Sequence, residues 1–176
     1  DISTVLKRST SGELLLRDGC AFVFGGDLFD KGPGDIRLSK ELVALKQRYP
    51  DRVALLMGNR DVNKLRFHKE LGERAISGVP LSALPGPFWS RRNQDKTPQV
   101  FLEQMIGTTA PVNGGGMAVS RLHKLNTRLN RLYWMLQETL GCAGTFEHRR
   151  RELGEMSARA PENVSDQEVL ESFVRA

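Results

Sequence analysis

Asp27, Asp30 and Asp35 fall within nine positions, directly after the apolar run Phe22-Val23-Phe24 and the pair Gly25-Gly26. A carboxylate at the point where an apolar run ends serves a tight turn, a calcium loop or a metal site at a sheet edge. The calcium loop is excluded. With Asp27 at the first position, Gly32 stands at the required sixth, but Phe29 and Lys31 occupy the third and fifth, and Leu38 replaces the bidentate Glu that closes such loops. Neither a dinucleotide fingerprint nor a P-loop is present. A second constellation then weighs against mere turn chemistry. Leu55-Leu56-Met57 runs into Gly58-Asn59-Arg60-Asp61. Here glycine permits a sharp bend, and Asn59 offers a neutral amide oxygen suited to a hard or borderline divalent ion.

The elements that must position these residues follow from periodicity. Cys20 to Gly25 and the run 52–58 are predicted as buried strands, with a shorter strand at Leu14 to Leu16. Between the two long runs, Leu38, Leu42 and Leu45, with Val43 beside them, mark one face of a helix. Asp35 is its expected N-cap and Tyr49-Pro50 its stop. Strand, helix, strand makes a βαβ unit with parallel strands and a right-handed crossover. Both strands then end at the same sheet edge, where ligands bind in open α/β sheets, and this brings Asp27 and Asn59 side by side.

These two segments resemble the calcineurin-like metallophosphoesterases. That family carries G-D-x-x-D-[RK]-G after one strand and G-N-H-[DE] after a later one; here they stand as Gly26-Asp27-Leu28-Phe29-Asp30-Lys31-Gly32 and Gly58-Asn59-Arg60-Asp61. The resemblance covers roughly residues 20–66. It implies a divalent-metal enzyme, with two ions drawn from Mn, Fe, Zn or Mg, that hydrolyses a phosphate ester or anhydride of a phosphorylated substrate. Asp27 would bridge the ions and Asn59 would bind one of them. Asp30 and Asp61 would orient neighbouring groups, and Lys31 would set local charge. Arg60 departs from the family's histidine: a guanidinium stabilises an oxyanion but gives up no proton near neutral pH. The family's D-x-H and G-H-x-H motifs are missing, and His68, His123 and His148 lack ligand spacing. The expectation is therefore a piece of a longer polypeptide, whose remaining parts complete the site.

The fold class expected is α/β: residues 1–71 form a parallel-sheet phosphoesterase core fragment, and 72–176 a mainly α-helical insertion or extension. In that second region 119–140 is predicted as one long helix, with Leu122, Leu125, Leu129, Leu132 and Leu136 at spacings of three and four and Gly141 at its end. Two more helices are expected, from Phe146 to Met156 and after Ser165. The second of these carries a capping box, Ser165 with Glu168, and a staple, Val164 with Val169.

Arg121, Lys124, Arg128 and Arg131 line the long helix beside its leucines. They support an alternative, a catalytically inactive phosphoesterase-like scaffold subunit contacting nucleic acid through that face. A net charge of +5 favours anionic partners in either case. Cys20 and Cys142 make no disulfide framework, and no apolar run approaches the roughly 20 residues of a membrane span. An intracellular, soluble protein with no membrane partner is expected.

Overall fold

The computed structural model describes residues 3–29, 31–87, 89–90, 95–107 and 115–175, with the backbone alone at 115–119. The chain divides into two compact units, Asp1–Lys64 and Leu65–Ala176.

The first unit begins with an antiparallel hairpin, β1 (Leu6–Arg8) with β2 (Leu14–Leu16), in which Leu6 faces Leu16 and Arg8 faces Leu14. Next comes the βαβ unit: β3 (Phe22–Phe24), α1 (Asp35–Arg48) and β4 (Val53–Leu55). β3 and β4 are parallel, Phe22 opposite Val53 and Phe24 opposite Leu55. One further ladder bond, from the Leu56 amide to the Phe24 carbonyl at 3.0 Å, extends the pairing to the ends of both strands. A short helix, α2 (Asn59–Lys64), follows at once. The core consists of Leu16, Leu45 and Val53, flanked by Leu6, Leu14, Phe22, Tyr49 and Leu55.

Three local features differ from expectation. The apolar runs suggested strands buried on both faces, yet Val23 is 63% exposed and Leu56 and Met57 are also exposed. Phe22, Val53 and Leu55 pack into the core, so each strand buries one face and its alternate residues point outward. The second difference is at the start of α1. Gly34, not Asp35, is the N-cap, at a φ of 91° that glycine adopts without penalty, and Asp35 is the first helical residue. There its charge complements the positive end of the helix dipole, as Lys46 and Arg48 do at the other end. Third, Leu42 and Leu45 are buried while Leu38 is exposed, so the apolar stripe is shorter than its sequence pattern.

The regular elements among the second unit's described residues are all helical, among them α3 (Arg66–Glu70), α4 (Glu73–Ser77), α5 (Pro98–Gly107), α6 (Gly115–Leu125), α7 (Arg128–Trp134), α8 (Thr145–Met156) and α9 (Asp166–Val174). Phe67, Leu132, Leu136, Phe146, Val169 and Phe173 belong to its core, and the rings of Phe67 and Phe173 meet edge to face at 5.4 Å. The single helix expected over 119–140 is broken. Thr127 is extended, and its hydroxyl accepts from the Asn130 amide at 3.2 Å to cap a new helix. Asn126 meanwhile donates from Nδ2 to the Ile76 carbonyl at 2.8 Å. Beyond Trp134 the chain makes a π-helical turn, Met135–Thr139, and leaves it through Gly141 at a φ of 62°.

The break also divides the basic stripe. Arg121 and Lys124 lie exposed on α6, whereas Arg128 pairs with Glu171 at 3.1 Å on α7 and Arg131 is buried. The α9 capping box forms as expected, with the Ser165 and Glu168 side chains each bonded to the other's backbone amide. Both cysteines are free thiols, and no helix among the described residues is long and apolar enough to cross a membrane.

Candidate functional site

The site lies where β3 and β4 end, and its geometry is set by two glycines and one buried carboxylate. Gly26 and Gly58 pass so closely that a Cβ on Gly26 would stand 2.3 Å from the Gly58 nitrogen. A Cβ on Gly58 would stand 2.0 Å from Asp27 Oδ1 and 2.5 Å from the Asp27 nitrogen. Backbone lies on both sides of this contact, so a side chain at either position forces the strand ends apart. The two G-x dipeptides of the motifs are therefore a steric requirement.

Asp61 bonds these turns together. It is only 7% exposed, and its carboxylate accepts three backbone N–H bonds. Oδ2 takes the amides of Asp27 and Gly58, each at 2.8 Å, and Oδ1 takes that of Phe29 at 3.0 Å. One side chain thus joins the loop after β3 to the loop after β4. Both oxygens are committed to amides, so Asp61 positions the site.

Asp27 is held in turn. Its φ of 58° is left-handed, unusual for a residue with a side chain. Such a conformation costs on the order of 1–3 kcal/mol and persists where the surroundings over-determine it, commonly at functional sites. Here Asp61 fixes the Asp27 amide, and the Arg60 amide donates to Asp27 Oδ1 at 3.0 Å. The Asp27 side chain is exposed, with Asn59 also exposed one residue before Arg60 at the start of α2. The structure thus gathers Asp27, Asn59, Arg60 and Asp61 at one sheet edge. Lys31 is exposed in the loop after β3, and Asp30 lies outside the described residues.

The sequence model of the calcineurin-like phosphoesterases matches residues 14–139, a span that holds both strand-end motifs. The chain belongs to that family. The mixed α/β architecture, with its small parallel sheet, fits the membership. Neither a curated protein nor a solved structure matches the chain.

Membership raises the question of whether the residues present suit the divalent ions such phosphoesterases use. Asp27 and Asn59 are hard oxygen donors of the right kind. Among the described residues, however, no group of three or more His, Cys, Asp or Glu side chains is arranged to hold a metal. His68, His123 and His148 all lie in the second unit, on α3, α6 and α8. What the sequence missed here was structural: the mutual approach of Gly26 and Gly58, and the three amides gathered by Asp61. The doubled pattern, Gly26-Asp27 and Gly58-Asn59, was the available signal, because glycine next to a strand end marks close backbone approach.

Proposed function

We propose that the chain carries part of the active site of a metal-dependent phosphoesterase that cleaves a phosphate ester or anhydride. Asp27 and Asn59 would be two of the ligands of a pair of divalent ions, and residues outside these 176 would supply the rest. One observation carries the reading. Asp27 is held in a strained backbone conformation, with its exposed carboxylate tied to the Asn59-Arg60 turn by a 3.0 Å bond from the Arg60 amide. Strain retained beside a paired motif is the mark of a positioned group rather than of a loop.

Bound divalent ions would neutralise phosphate charge and activate a water. The roles of the chain's own residues follow from their chemistry. Asp27 brings negative charge to the sheet edge for cations, and the Arg60 amide fixes the orientation of its carboxylate. A guanidinium suits bidentate contact with a phosphate oxyanion and is a poor proton donor, so the proton for the leaving group must come from elsewhere. Asp61 sets the distance between the two turns. Asp30 and Lys31, in the loop after β3, would orient and balance charge.

The test uses a polypeptide carrying the remaining ligands together with this chain, purified with manganese and assayed on an aryl phosphate. Turnover is expected, with Asp27→Asn abolishing it and Gly25→Ala, whose added Cβ meets nothing within 4 Å, leaving it unchanged. Residues 1–176 alone should bind manganese weakly and hydrolyse nothing. A folded polypeptide with neither metal uptake nor turnover on a broad phosphoester panel would replace this reading with a non-catalytic scaffold.

A further inference from the structure

The helical unit encloses a cavity of about 320 Å³ between α3, α4, α5 and α7. Its walls include Arg66, Lys69, Arg131, Trp134, Met135 and Pro98. Arg131 is the unusual member. It is 4% exposed, and its Nη1 has no hydrogen-bond partner among the described residues. A buried guanidinium N–H without an acceptor is unfavourable, because the desolvation of that group is left uncompensated. Burial accordingly lowers the pKa of Arg131, against the opposing field of Glu70.

Glu70 does not relieve that charge by direct bonding. Its carboxylate is taken by the Arg66 fork, with Nε to Oε1 at 2.6 Å and Nη2 to Oε2 at 3.0 Å. With Lys69 also on the wall, the described residues lining the cavity include three cationic side chains against one carboxylate, and that carboxylate is already engaged. The remaining wall is apolar and fixed. The indole of Trp134 donates from Nε1 to the Lys96 carbonyl at 2.9 Å, and the Arg131 guanidinium lies 5.8 Å from its ring centroid. A concave apolar site with a few converging polar groups is the usual form of a small-molecule site, and this volume is at the small end of the range of about 300–1,000 Å³.

We propose that this cavity binds a small oxyanion, a carboxylate or a phosphate, carried on an apolar body the size of one ring, with Arg131 as its charge partner. The ligand would complete the hydrogen bonding of Nη1, while Trp134, Met135 and Pro98 enclose the apolar part. Lys69, which is exposed, adds attraction at the rim.

The test titrates the whole chain with benzoate, phenyl phosphate and benzyl alcohol by calorimetry, in EDTA to keep metal-linked binding at Asp27 out of the signal. Saturable binding of benzoate or phenyl phosphate is expected, the tighter of the two identifying a carboxylate or a phosphate ligand. Benzyl alcohol, which lacks the charge, should not bind. Arg131→Met should weaken the anion at least tenfold and melt no lower than the parent, since it removes a buried charge with an unbonded N–H and keeps the aliphatic packing. Asp27→Asn should leave the affinity unchanged. The proposal is overturned if neither anion binds saturably, if benzyl alcohol binds as well, or if Arg131→Met binds as the parent does. Should Arg131→Met fail to fold, Lys69→Ala decides: a several-fold loss of affinity at low salt supports the site, and an unchanged affinity refutes it.

Discussion

Asp61 and Arg60 are neighbours in sequence, and they act on the site by different routes. Asp61 acts through its side chain, which accepts three amides from two loops. Asp61→Asn keeps the shape but leaves one acceptor oxygen where two stood, and it turns an NH2 group toward backbone donors. A loss of about 2–3 kcal/mol in the first unit is expected, from one or two charge-assisted bonds given up in a buried position. Urea unfolding followed on that unit measures it, and a change below about 0.5 kcal/mol, the scale of ordinary surface substitutions, would show that the three bonds do not hold the turns. Arg60 orients Asp27 through its main-chain amide, so that bond survives any side-chain substitution. Arg60→Ala therefore isolates the guanidinium. In the active polypeptide kcat/KM should fall about ten- to a hundredfold, the worth of one charged hydrogen bond. Unaltered turnover would remove Arg60 from the phosphate. The sequence announced the types and spacing of these residues. It was silent on the division of labour between them, because which atoms of Asp61 meet which amides depends on a turn geometry that residue identity alone does not specify.

At the scale of elements, local signals were legible and tertiary ones were not. The α9 capping box needs only Ser165 and Glu168, three positions apart, and it formed as written. The break near Asn126 was hidden because Asn126 and Thr127 fit the polar positions of a leucine-striped helix. What separates α6 from α7 is the Thr127 cap together with the bond from Asn126 to the Ile76 carbonyl, a partner far away in sequence. Thr127→Ala should cost about 1 kcal/mol of stability in the helical unit. At the strand ends, Gly58→Ala meets Asp27 main-chain and carboxylate atoms, whereas Gly25→Ala meets open space. The first should abolish activity and destabilise the first unit, and the second should do neither; equal behaviour would remove close approach as the reason for glycine at position 58. The α9 cap also has a pH signature. Bonds from Arg159 and then Ser165 draw the Glu168 carboxyl down from its ordinary 4.5 to about 2. Because the folded value is depressed, the contribution of Glu168 is complete above about pH 4.5 and is lost as pH falls toward 2. Glu168→Gln should flatten the acid dependence of the helical unit's stability within that window and leave its shape at neutral pH unchanged.

For the molecule as a whole, the two units differ in how much apolar surface each encloses. The helical unit gathers Phe67, Leu71, Leu132, Met135, Leu136, Phe146, Val169 and Phe173 in one core. The first unit centres on Leu16, Leu45 and Val53, and Val23, Val43, Leu56, Met57 and Val62 remain exposed. Buried apolar area is the main favourable term in folding, so the helical unit should be the more stable of the two. The family match runs through both units, from residue 14 to 139, yet the strand-end motifs lie wholly in the first. The candidate site therefore sits in the unit with the smaller core, where local opening is expected to be easiest. Amide hydrogen exchange on the 176-residue chain tests this order directly. Amides of α7, α8 and α9 should exchange slowest, and those of β3, β4 and α2 orders of magnitude faster. Within the first unit, the Asp27, Phe29 and Gly58 amides should be protected beyond their loop neighbours, because each is bonded to the Asp61 carboxylate. In Asp61→Asn that excess protection should vanish while α7–α9 stay as they were. Uniform exchange across both units would mean that the chain unfolds as a single cooperative body and that the site's rigidity is borrowed from the whole. Protection confined to the helical unit, with the three amides exchanging like their neighbours, would mean that the clamp alone cannot order the site. Ligands binding the folded site would then have to contribute that order, through the mass-action stabilisation any folded-state ligand gives.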